Sequence, residues 1–471
     1  MPITEQKMNS WCRTLLGASP APYQTLSEYL AAIPRLKSLA DVPRGSVVLV
    51  RGDVDAKPGA NIGEGDERLR SMVETLKFGI AQGWKQVVLG HIGRKPEGTL
   101  GKVAARLGEL LGKKVPLVSD WLDESSTTIS VAAAEAVRNS QPGDVLVLEN
   151  TRRYHVERVL WDATADDLPK LAPQLAKFAN EVAEKLGTVY IHEALSAGSL
   201  DSSSTIIPAA MQRVAMGNYE AGEFDGPMQR CLQAQLVVFS GLKIDKLDDL
   251  SAMIARGTIR WVITAGSLAM ALKKAAAEID GKTFSLGVAE DSAHSGKPYY
   301  IPRERIEQAR KMIDDGRTKG IQFVLPVDFI LQDGRASATI GPGDQQFDIG
   351  PKTSEFFAQK IGEFIEASKK SATGNPGGSG KPAVAFHNGV FGMFEDPRFE
   401  AGTKNFIGQL KRMKDAGVEV YVGGGEGGAA LEKYGQPDWV THCFTAGGTV
   451  LNALGSNPVP YLLALAMAAK K

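Results

Sequence analysis

Residues 47–55 read VVLVRGDVD, a run of β-branched and other apolar residues that ends in a charged turn. An apolar run without alternation is typical of a strand that is buried on both faces of a parallel sheet. A helical pattern closed by Gly83 follows at residues 67–83, and a second apolar run follows at residues 85–91. Strands that alternate with helices in this way predict an α/β fold with helices on both faces of a parallel sheet.

The same alternation continues outward in two sets. In the first set, strands are predicted at residues 144–150 and 188–194 and a helix at residues 102–112. In the second set, strands are predicted at residues 234–241, 260–266, 322–329, 383–389, 418–425 and 438–444. A charged region of helical pattern around residues 211–235 separates the sets. The predicted fold class is therefore α/β, with two consecutive doubly wound, Rossmann-like parallel-sheet domains and a boundary near residue 230.

The ends of the chain differ from this pattern. Residues 1–45 are weakly periodic and are predicted to form an N-terminal extension with a helix near Leu26–Ala40. The apolar stretch YLLALAMAA at residues 461–469 predicts a buried helix, and the Gly/Ser/Pro-rich stretch Ser371–Pro382 predicts a flexible surface loop. The predicted segments are residues 1–45, 46–230, 231–448 and 449–471.

Composition narrows the classes of function. The 54 basic and 54 acidic residues cancel, so no global charge points to nucleic acid, and an anion site must be a local cluster. Three cysteines without a CxxC spacing argue against a disulfide framework or a zinc site and favour a reducing cytoplasm. No run of about 18 apolar residues occurs, so no membrane span is expected.

Basic side chains follow the strands of the first set. Because parallel strands end at one edge of the sheet, these side chains are expected to converge. The residues concerned are Arg51, Asp53, Asp55, Arg68, His91, Arg94, Arg152, Arg153 and His155. Arginine donates two parallel hydrogen bonds to an oxyanion, so a small acid with phosphate and carboxylate groups is the expected ligand. The alternatives are solvated surface arginines, structural histidines and, for Asp53, a turn former beside Gly52.

Glycine-rich turns follow the strands of the second set, at residues 240–246, 264–269, 386–389 and 423–428. Glycine lets the backbone approach a ligand closely, and a helix that starts after such a turn favours phosphate. Lys243 and Lys246 add positive charge for a transferring phosphoryl group. These turns predict a nucleotide cleft, and simple turn geometry is the alternative for any single glycine.

Two glycine motifs are excluded. Residues 423–428 fit G-x-G-x-x-G, but the next strand ends in no acidic residue that would bind a ribose, which argues against a dinucleotide site. Gly380-Lys381 is no P-loop, since Asn375 and Pro382 stand where glycine and Ser or Thr are required.

Nine segments resemble motifs of the phosphoglycerate kinase family and occur in the family's order from about residue 46 onward. They are VVLVRGDVD, LGHIGRKPEG, VLVLENTRRYHVE, FSGLKIDKLDDL, LPVDF, FDIGP, FHNGVFGMFEDPRFEAGTKN, VGGGEGG and THCFTAGGTVLNAL. The resemblance implies a hinge-bending kinase. Residues 46–230 would bind the acid, residues 231–448 would bind ATP or ADP with Mg²⁺, and residues 449–471 would return to the first domain. It also implies a cytoplasmic monomer.

The resemblance assigns roles residue by residue. The catalytic positions are Arg68 and Lys243, and the substrate-binding positions are Arg51, Asp53, Asp55, His91, Arg94 and Arg152. The nucleotide-binding positions are Gly241, Lys246, Gly266, Asn388, Glu395, Gly425 and Gly427, and the metal position is Glu426. The implied reaction is direct in-line transfer from ATP to the carboxylate of 3-phospho-D-glycerate, with no covalent enzyme intermediate.

Several site positions depart from the family's motifs. In HEALSAGSLDSSS, residues 192–204, Leu200 stands where a substrate-binding arginine is expected. The anion site therefore lacks one guanidinium group. The other departures are Asp55 for Asn, Glu426 for Asp, His387 for Trp, Val390 for Pro, Phe444 for Ser and Ala446 for Gly. Two alternatives therefore stay open: the same chemistry on another small carboxylate, or a catalytically impaired nucleotide-binding paralogue.

Overall fold

The computed structural model describes residues 2–373, 381–455 and 458–470. The chain forms two compact units. The first contains the residues up to Asp225 together with those from Pro458 onward, and the second begins at Gly226. The predicted boundary near residue 230 thus lies a few residues beyond the division in the structure.

The first unit is built on a parallel sheet of six strands in the order β3-β6-β2-β1-β7-β8. A short antiparallel pair, β4 and β5, lies apart from it. The strands are β1 Val47–Gly52, β2 Lys85–Leu89, β3 Leu117–Val118, β4 Leu122–Asp123, β5 Thr128–Ile129, β6 Val145–Leu148, β7 Val189–Glu193 and β8 Arg213–Met216. The chain leaves β1 first toward β2 and later toward β7, so the winding of the sheet reverses at β1.

The α-helices of this unit before residue 226 are α1 Glu5–Leu15, α2 Leu26–Ala32, α3 Glu67–Ser71, α4 Val73–Gln82, α5 Gly101–Leu111, α6 Val131–Asn139, α7 Leu168–Lys185, α8 Ser202–Thr205 and α9 Asn218–Asp225. Strand residues such as Val48, Val50 and Val88 are fully buried beneath them. Burial of apolar side chains on both faces explains why these strands read as continuous apolar runs.

The second unit repeats this plan with the strand order β11-β10-β9-β15-β16-β17, all parallel. A separate antiparallel sheet has the order β13-β12-β14. The strands are β9 Leu236–Phe239, β10 Trp261–Thr264, β11 Gln322–Val324, β12 Phe329–Leu331, β13 Ala336–Ser337, β14 Gln346–Ile349, β15 Val384–Asn388, β16 Glu419–Val422 and β17 His442–Cys443. Here the winding reverses at β9.

The helices of the second unit are α10 Pro227–Cys231, α11 Lys246–Ala255, α12 Gly266–Ile279, α13 Arg303–Thr318, α14 Pro351–Thr373, α15 Ala401–Asp415, α16 Glu426–Tyr434 and α17 Gly447–Leu454. The last helix, α18 Pro460–Ala469, belongs to the first unit and is buried along most of its length, as its apolar sequence predicts. Within the ranges described, no helix combines the length and the apolar character that crossing a bilayer requires.

Several predicted elements are confirmed with small shifts, and others are corrected. The single helix predicted at residues 67–83 is two helices, α3 and α4, that meet at Met72. The strand predicted at residues 322–329 is also divided, since β11 ends at Val324 and β12 begins at Phe329 in the separate antiparallel sheet. The charged region at residues 211–235 contains a strand, β8, that its sequence did not predict.

The predictions for the two ends of the chain also need correction. Helix α1, which was not predicted, buries Met8, Trp11, Cys12 and Leu15, and the Trp11 indole donates to the Thr205 carbonyl at 2.8 Å. The helix predicted at Leu26–Ala40 is shorter and ends at Ala32, and a 3₁₀ turn follows at Leu36–Leu39. At the other end, α17 packs against α11 within the second unit, so the return to the first unit begins at Pro458 rather than at residue 449.

The loop predicted at Ser371–Pro382 falls mostly outside the described residues. Helix α14 extends to Thr373, so the backbone of the first three residues of that stretch is helical.

Candidate active site

Three of the predicted substrate-binding residues meet at the carboxyl edge of the first sheet. Arg51 is in β1, His91 lies two residues beyond β2, and Arg152 is in the 3₁₀ turn Thr151–Arg153 that follows β6. Arg51 Nη2 lies 2.7 Å from His91 Nδ1. All three side chains are buried. The convergence expected from the sequence is therefore present for these three residues, whereas Arg94, Arg153 and His155 are exposed.

An aspartate that was not predicted, Asp201, occupies the centre of this cluster. It accepts hydrogen bonds from Arg152 Nη2 at 2.9 and 3.2 Å and from the Trp161 indole at 2.9 Å. Its Oδ2 also lies 3.6 Å from Arg51 Nη2 and 3.4 Å from His91 Nδ1. Since Asp201 is fully buried, its charge neutralises the arginines from inside the protein.

His91 is held in its neutral form. Burial and then the charges of Arg51 and Arg152 set the pKa of His91 well below its usual range. Because arginine can only donate, His91 Nδ1 accepts the hydrogen bond from Arg51. The histidine therefore positions Arg51 and adds no positive charge to the cluster.

A second buried carboxylate stands behind Arg51. Arg51 Nε donates to Ser203 Oγ at 2.9 Å, and Ser203 donates to Glu157 through both its hydroxyl, at 2.5 Å, and its backbone N–H, at 2.7 Å. Burial, and then the charge of Asp201, raise the pKa of Glu157 to about 7. Arg51 is thus fixed in place on both of its sides.

The predicted catalytic arginine, Arg68, is paired with Asp55. Its Nη1 donates to the Asp55 carbonyl and to Asp55 Oδ2, both at 3.0 Å, and Asp55 Oδ1 accepts from the Gly93 N–H at 2.9 Å. About a quarter of the Arg68 side chain is exposed. Asp55 therefore joins α3 to the turn after β2.

Asp53 and Arg94 lie at opposite extremes of burial. Asp53 is fully buried and accepts from Ser196 Oγ at 2.5 Å, and burial raises its pKa while the nearby Arg68 opposes that rise. Arg94 follows the turn at Gly93 and is exposed to solvent. Leu200, which stands where an arginine was expected, is half-buried and precedes Asp201 in the chain.

The glycine turns of the second unit pack against one another. Gly266 has a φ of +66°, and a Cβ on it would lie 2.6 Å from the Gly241 carbonyl oxygen. The turns after β9 and β10 are therefore in backbone contact, so turn geometry accounts for glycine at position 266, as the alternative interpretation allowed. Gly425, with a φ of +72°, has open space where a side chain would begin.

The two predicted lysines have different surroundings. Lys246 Nζ donates to the Ser240 carbonyl at 2.8 Å and to Asn388 Oδ1 at 3.1 Å, which brings together the ends of β9 and β15. Burial lowers the pKa of Lys246, and the charge of Glu426 opposes that shift. Lys243 is exposed. Asn388 and Lys246 therefore form one unit of structure, while Lys243 is available to a ligand.

The remaining predicted positions surround the start of α16. Glu426 is the first residue of that helix and is exposed, Gly427 is buried, and Glu395 is exposed in the loop that follows β15. Among the residues described, no group of three His, Cys, Asp or Glu side chains is arranged to hold a metal. Mg²⁺ that binds with a nucleotide needs only one or two carboxylates, since phosphates supply other ligands. An exposed Glu426 beside the open turn at Gly425 fits that requirement.

The family is decided by a match over most of the chain. Residues 39–457 match the family model described as "Phosphoglycerate kinase". The chain belongs to the phosphoglycerate kinase family. It is therefore a kinase, a phosphotransferase enzyme, and members of the family use a nucleotide substrate, usually with Mg²⁺.

Named members of the family are similar along nearly their whole length. Phosphoglycerate kinase of Clostridium kluyveri is 27% identical over 449 residues, which are 91% of this chain and 98% of that protein. Cytosolic phosphoglycerate kinase of Triticum aestivum is 26% identical over 441 residues, which are 90% and 96% of the two chains. The chain is thus a divergent member of the family.

Two solved phosphoglycerate kinases share the fold. The structure from Pyrococcus horikoshii has a TM-score of 0.68 at 22% identity and covers 93% of this chain and 100% of its own. The structure from Coxiella burnetii has a TM-score of 0.63 at 23% identity and covers 90% and 97%. These similarities confirm the predicted α/β fold with its two parallel sheets.

The family motifs predicted some contacts of the site and missed others. They predicted that Arg51 lies close to His91 and Arg152, and they predicted the glycine-rich turns of the second unit. They gave no indication of Asp201 or Trp161. The sequence signal for Asp201 was an acidic residue directly after Leu200, in the segment where the expected arginine is missing.

Proposed function

We propose that this chain transfers the γ-phosphoryl group of ATP, reversibly, to the carboxylate of a small acid and thereby forms an acyl phosphate and ADP. The observation that carries this proposal is the position of the charged residues in each sheet. The winding reverses at β1 and at β9, and ligands of doubly wound sheets bind beyond the carboxyl end of the strands at such points. Arg51 and Asp53 stand at that end of β1, and Gly241 and Lys243 at that end of β9.

The acid is bound by the first unit. Arg94 is exposed and Arg68 is partly exposed, so these two guanidinium groups are the ones that reach a ligand directly. Arg51, His91 and Arg152 form the buried support behind them. 3-Phospho-D-glycerate is the acid that the family name implies, and it is the first substrate to test.

The nucleotide is bound by the second unit. Gly241, Gly425 and Gly427 let the backbone approach the phosphates, while Gly266 keeps the turns after β9 and β10 in contact. Lys246 and Asn388 fix the turn after β9, and Glu395 lies in the loop that follows β15. Glu426 would hold Mg²⁺ together with the phosphates. When bound, the metal supplies positive charge to the oxygens of the phosphates.

The chemistry needs few groups from the protein. A carboxylate is already a nucleophile, so no general base is required, and the acid attacks the γ-phosphorus in line with the departing ADP oxygen. Lys243 and Arg68 stabilise the charge on the equatorial oxygens during transfer. Hinge-bending, a monomeric state and a cytoplasmic location stay predictions from the family resemblance.

Hydroxylamine trapping tests the proposal. Purified protein is incubated with Mg-ATP, hydroxylamine and one acid at a time, beginning with 3-phosphoglycerate and glycerate, and the hydroxamate and ADP are measured. We expect hydroxamate in proportion to ADP with at least one acid, and a loss of about 100-fold or more in Lys243→Ala, as is found when one stabilising group is removed. Lys319→Ala, which removes another exposed lysine of the same unit, serves as the control.

A different result would favour the impaired paralogue. ATP binding without hydroxamate from any acid would contradict phosphoryl transfer to a carboxylate. Equal activity in Lys243→Ala and Lys319→Ala would contradict the role assigned to Lys243.

A further inference from the structure

The centre of the arginine cluster is already occupied by a carboxylate of the protein itself. The geometry points to an acid site that accepts a carboxylate without a phosphate group, because Asp201 takes hydrogen bonds by which Arg152 would bind a phosphate and lies 3.6 Å from the guanidinium of Arg51. This inference rests on the proposed function, since it names the class of acid that the same site uses.

The contacts of Asp201 are those of a bound anion. Both of its oxygens lie within 3.2 Å of Arg152 Nη2, and one also accepts from the Trp161 indole at 2.9 Å. The Arg152 guanidinium lies 4.8 Å from the centre of the Trp161 ring, so the ring covers it. Its other terminal nitrogen, Nη1, donates to the Gly93 carbonyl at 2.8 Å. Both terminal nitrogens of Arg152 therefore have acceptors, while its buried Nε has no hydrogen-bond partner among the described residues.

The backbone of Asp201 is held in place by hydrogen bonds. Its carbonyl accepts from the N–H groups of Ser204 and Thr205, both at 3.0 Å, and from the Thr205 hydroxyl at 2.9 Å. All three residues are buried. A phosphate that displaced the Asp201 side chain would leave a buried carboxylate without its partners.

The charges of the site also disfavour a second anionic group. Arg68 is paired with Asp55, while Arg51 and Arg152 share Asp201. A phosphate carries a charge of about −1.5 to −2 at neutral pH and would meet the buried Asp201 at short range, where like charges repel strongly. A single carboxylate needs fewer hydrogen-bond donors, and the exposed Arg94 can donate two parallel hydrogen bonds to it.

Binding measurements with a matched pair of acids test this inference. 3-Phosphoglycerate and glycerate differ only in the phosphate, and each is titrated calorimetrically into the full-length protein without nucleotide. For the wild type we expect the affinity for 3-phosphoglycerate to exceed that for glycerate by less than about threefold. In Asp201→Asn and Asp201→Ala we expect 3-phosphoglycerate to bind at least about tenfold tighter than in the wild type, the worth of one or two charge-assisted hydrogen bonds.

A control variant separates this effect from a general change of charge. Asp225→Asn removes a carboxylate that pairs with Arg35 on the surface of the same unit, and we expect it to bind both acids as the wild type does. If the Asp201 variants do not fold, the affinities of the wild type for the two acids still test the inference. A wild type that binds 3-phosphoglycerate about tenfold or more tighter than glycerate would overturn the inference, and so would folded Asp201 variants without the gain.

The outcome is independent of whether the chain is an active kinase. Failure of every acid to yield hydroxamate would refute the proposed transfer. The binding measurements, which compare the two acids in the wild type and 3-phosphoglycerate between wild type and variants, would still test the inference. Conversely, hydroxamate formed readily from 3-phosphoglycerate, together with tight binding of that acid, would support the transfer and refute the inference about its substrate.

Discussion

At the scale of single residues, Lys243 and Lys246 are three positions apart and differ in their surroundings. Lys246 joins two strand ends through hydrogen bonds to Ser240 and Asn388, whereas Lys243 is exposed. The family resemblance assigns Lys243 to catalysis and Lys246 to the nucleotide. The structure separates a lysine that supports the turn from one whose side chain is exposed.

Substitution of these two lysines is therefore expected to have different effects. Lys246→Ala leaves the Asn388 side-chain oxygen without this donor and should destabilise the second unit by about 1–3 kcal/mol, with weaker ATP binding. Lys243→Ala should leave the melting temperature unchanged and lower kcat. Calorimetric melting and turnover, measured on both variants, check the prediction. A fall in melting temperature for Lys243→Ala as large as that for Lys246→Ala would contradict it.

A buried carboxyl predicts how stability depends on pH. Glu193, the last residue of β7, is fully buried, accepts from the Thr75 hydroxyl at 2.6 Å, and has its pKa raised from 4.5 to about 8 by burial. Between these two values the folded protein keeps a proton that the unfolded chain releases, so the free energy of unfolding falls as pH rises. Below about pH 4.5 the contribution of Glu193 to the free energy of unfolding does not change with pH. Above about pH 8 that free energy has fallen by the full amount due to Glu193.

Glu193→Gln should flatten that dependence. The variant is expected to lose less stability than the wild type between pH 5 and pH 8, because its side chain has no proton to release. Melting temperatures measured across this range, with the exposed Glu184→Gln as a control, provide the comparison. Parallel curves for the wild type and Glu193→Gln would show that Glu193 does not titrate in this range.

At the scale of elements, the start of α12 depends on a glycine. Gly266 combines a left-handed φ of +66° with a Gly241 carbonyl oxygen 2.6 Å from where a Cβ would lie. Gly266→Ala should therefore destabilise the second unit by about 1–3 kcal/mol and weaken ATP binding. Gly408→Ala is the matched control, since Gly408 is an exposed position within α15 with no atom near its would-be Cβ.

The control has its own expected sign. Alanine within a helix is favoured over glycine, so Gly408→Ala should raise stability by about 0.5–1 kcal/mol. Urea or thermal unfolding of the two variants measures both effects. Equal stability of Gly266→Ala and the wild type would show that the backbone at position 266 relaxes without strain.

Elements with a strong local signal were predictable from the sequence, and those defined by distant contacts were not. The strand β1 and the helix end at Gly83 follow from an apolar run and a helix-ending glycine. Strand β8 and helix α1 depend on partners far along the chain: Arg213–Met216 pairs with β7, and Trp11 reaches Thr205. The same holds within the site, where Asp201 meets Arg51 across 150 residues of sequence.

At the scale of the whole molecule, two sheets of the same plan are proposed to bind different ligands. Mg-ATP should therefore slow amide hydrogen exchange at residues 240–246, 264–269 and 423–428, and the acid should slow it near Arg68 and Arg94. Exchange measured by mass spectrometry, with each ligand alone, checks this division. Protection by Mg-ATP alone that is confined to the strand ends of the first unit would contradict it.

The most direct measurement follows an oxygen atom from the acid into phosphate. An acid that supports turnover, labelled with ¹⁸O in its carboxylate, is incubated with the protein, Mg-ATP and hydroxylamine. Attack of hydroxylamine on the carbonyl carbon of an acyl phosphate releases phosphate that retains the bridging oxygen. If the carboxylate accepts the phosphoryl group, the phosphate released will carry one ¹⁸O atom for each hydroxamate formed. Phosphate without the label would mean that water is the acceptor and would contradict the proposed reaction.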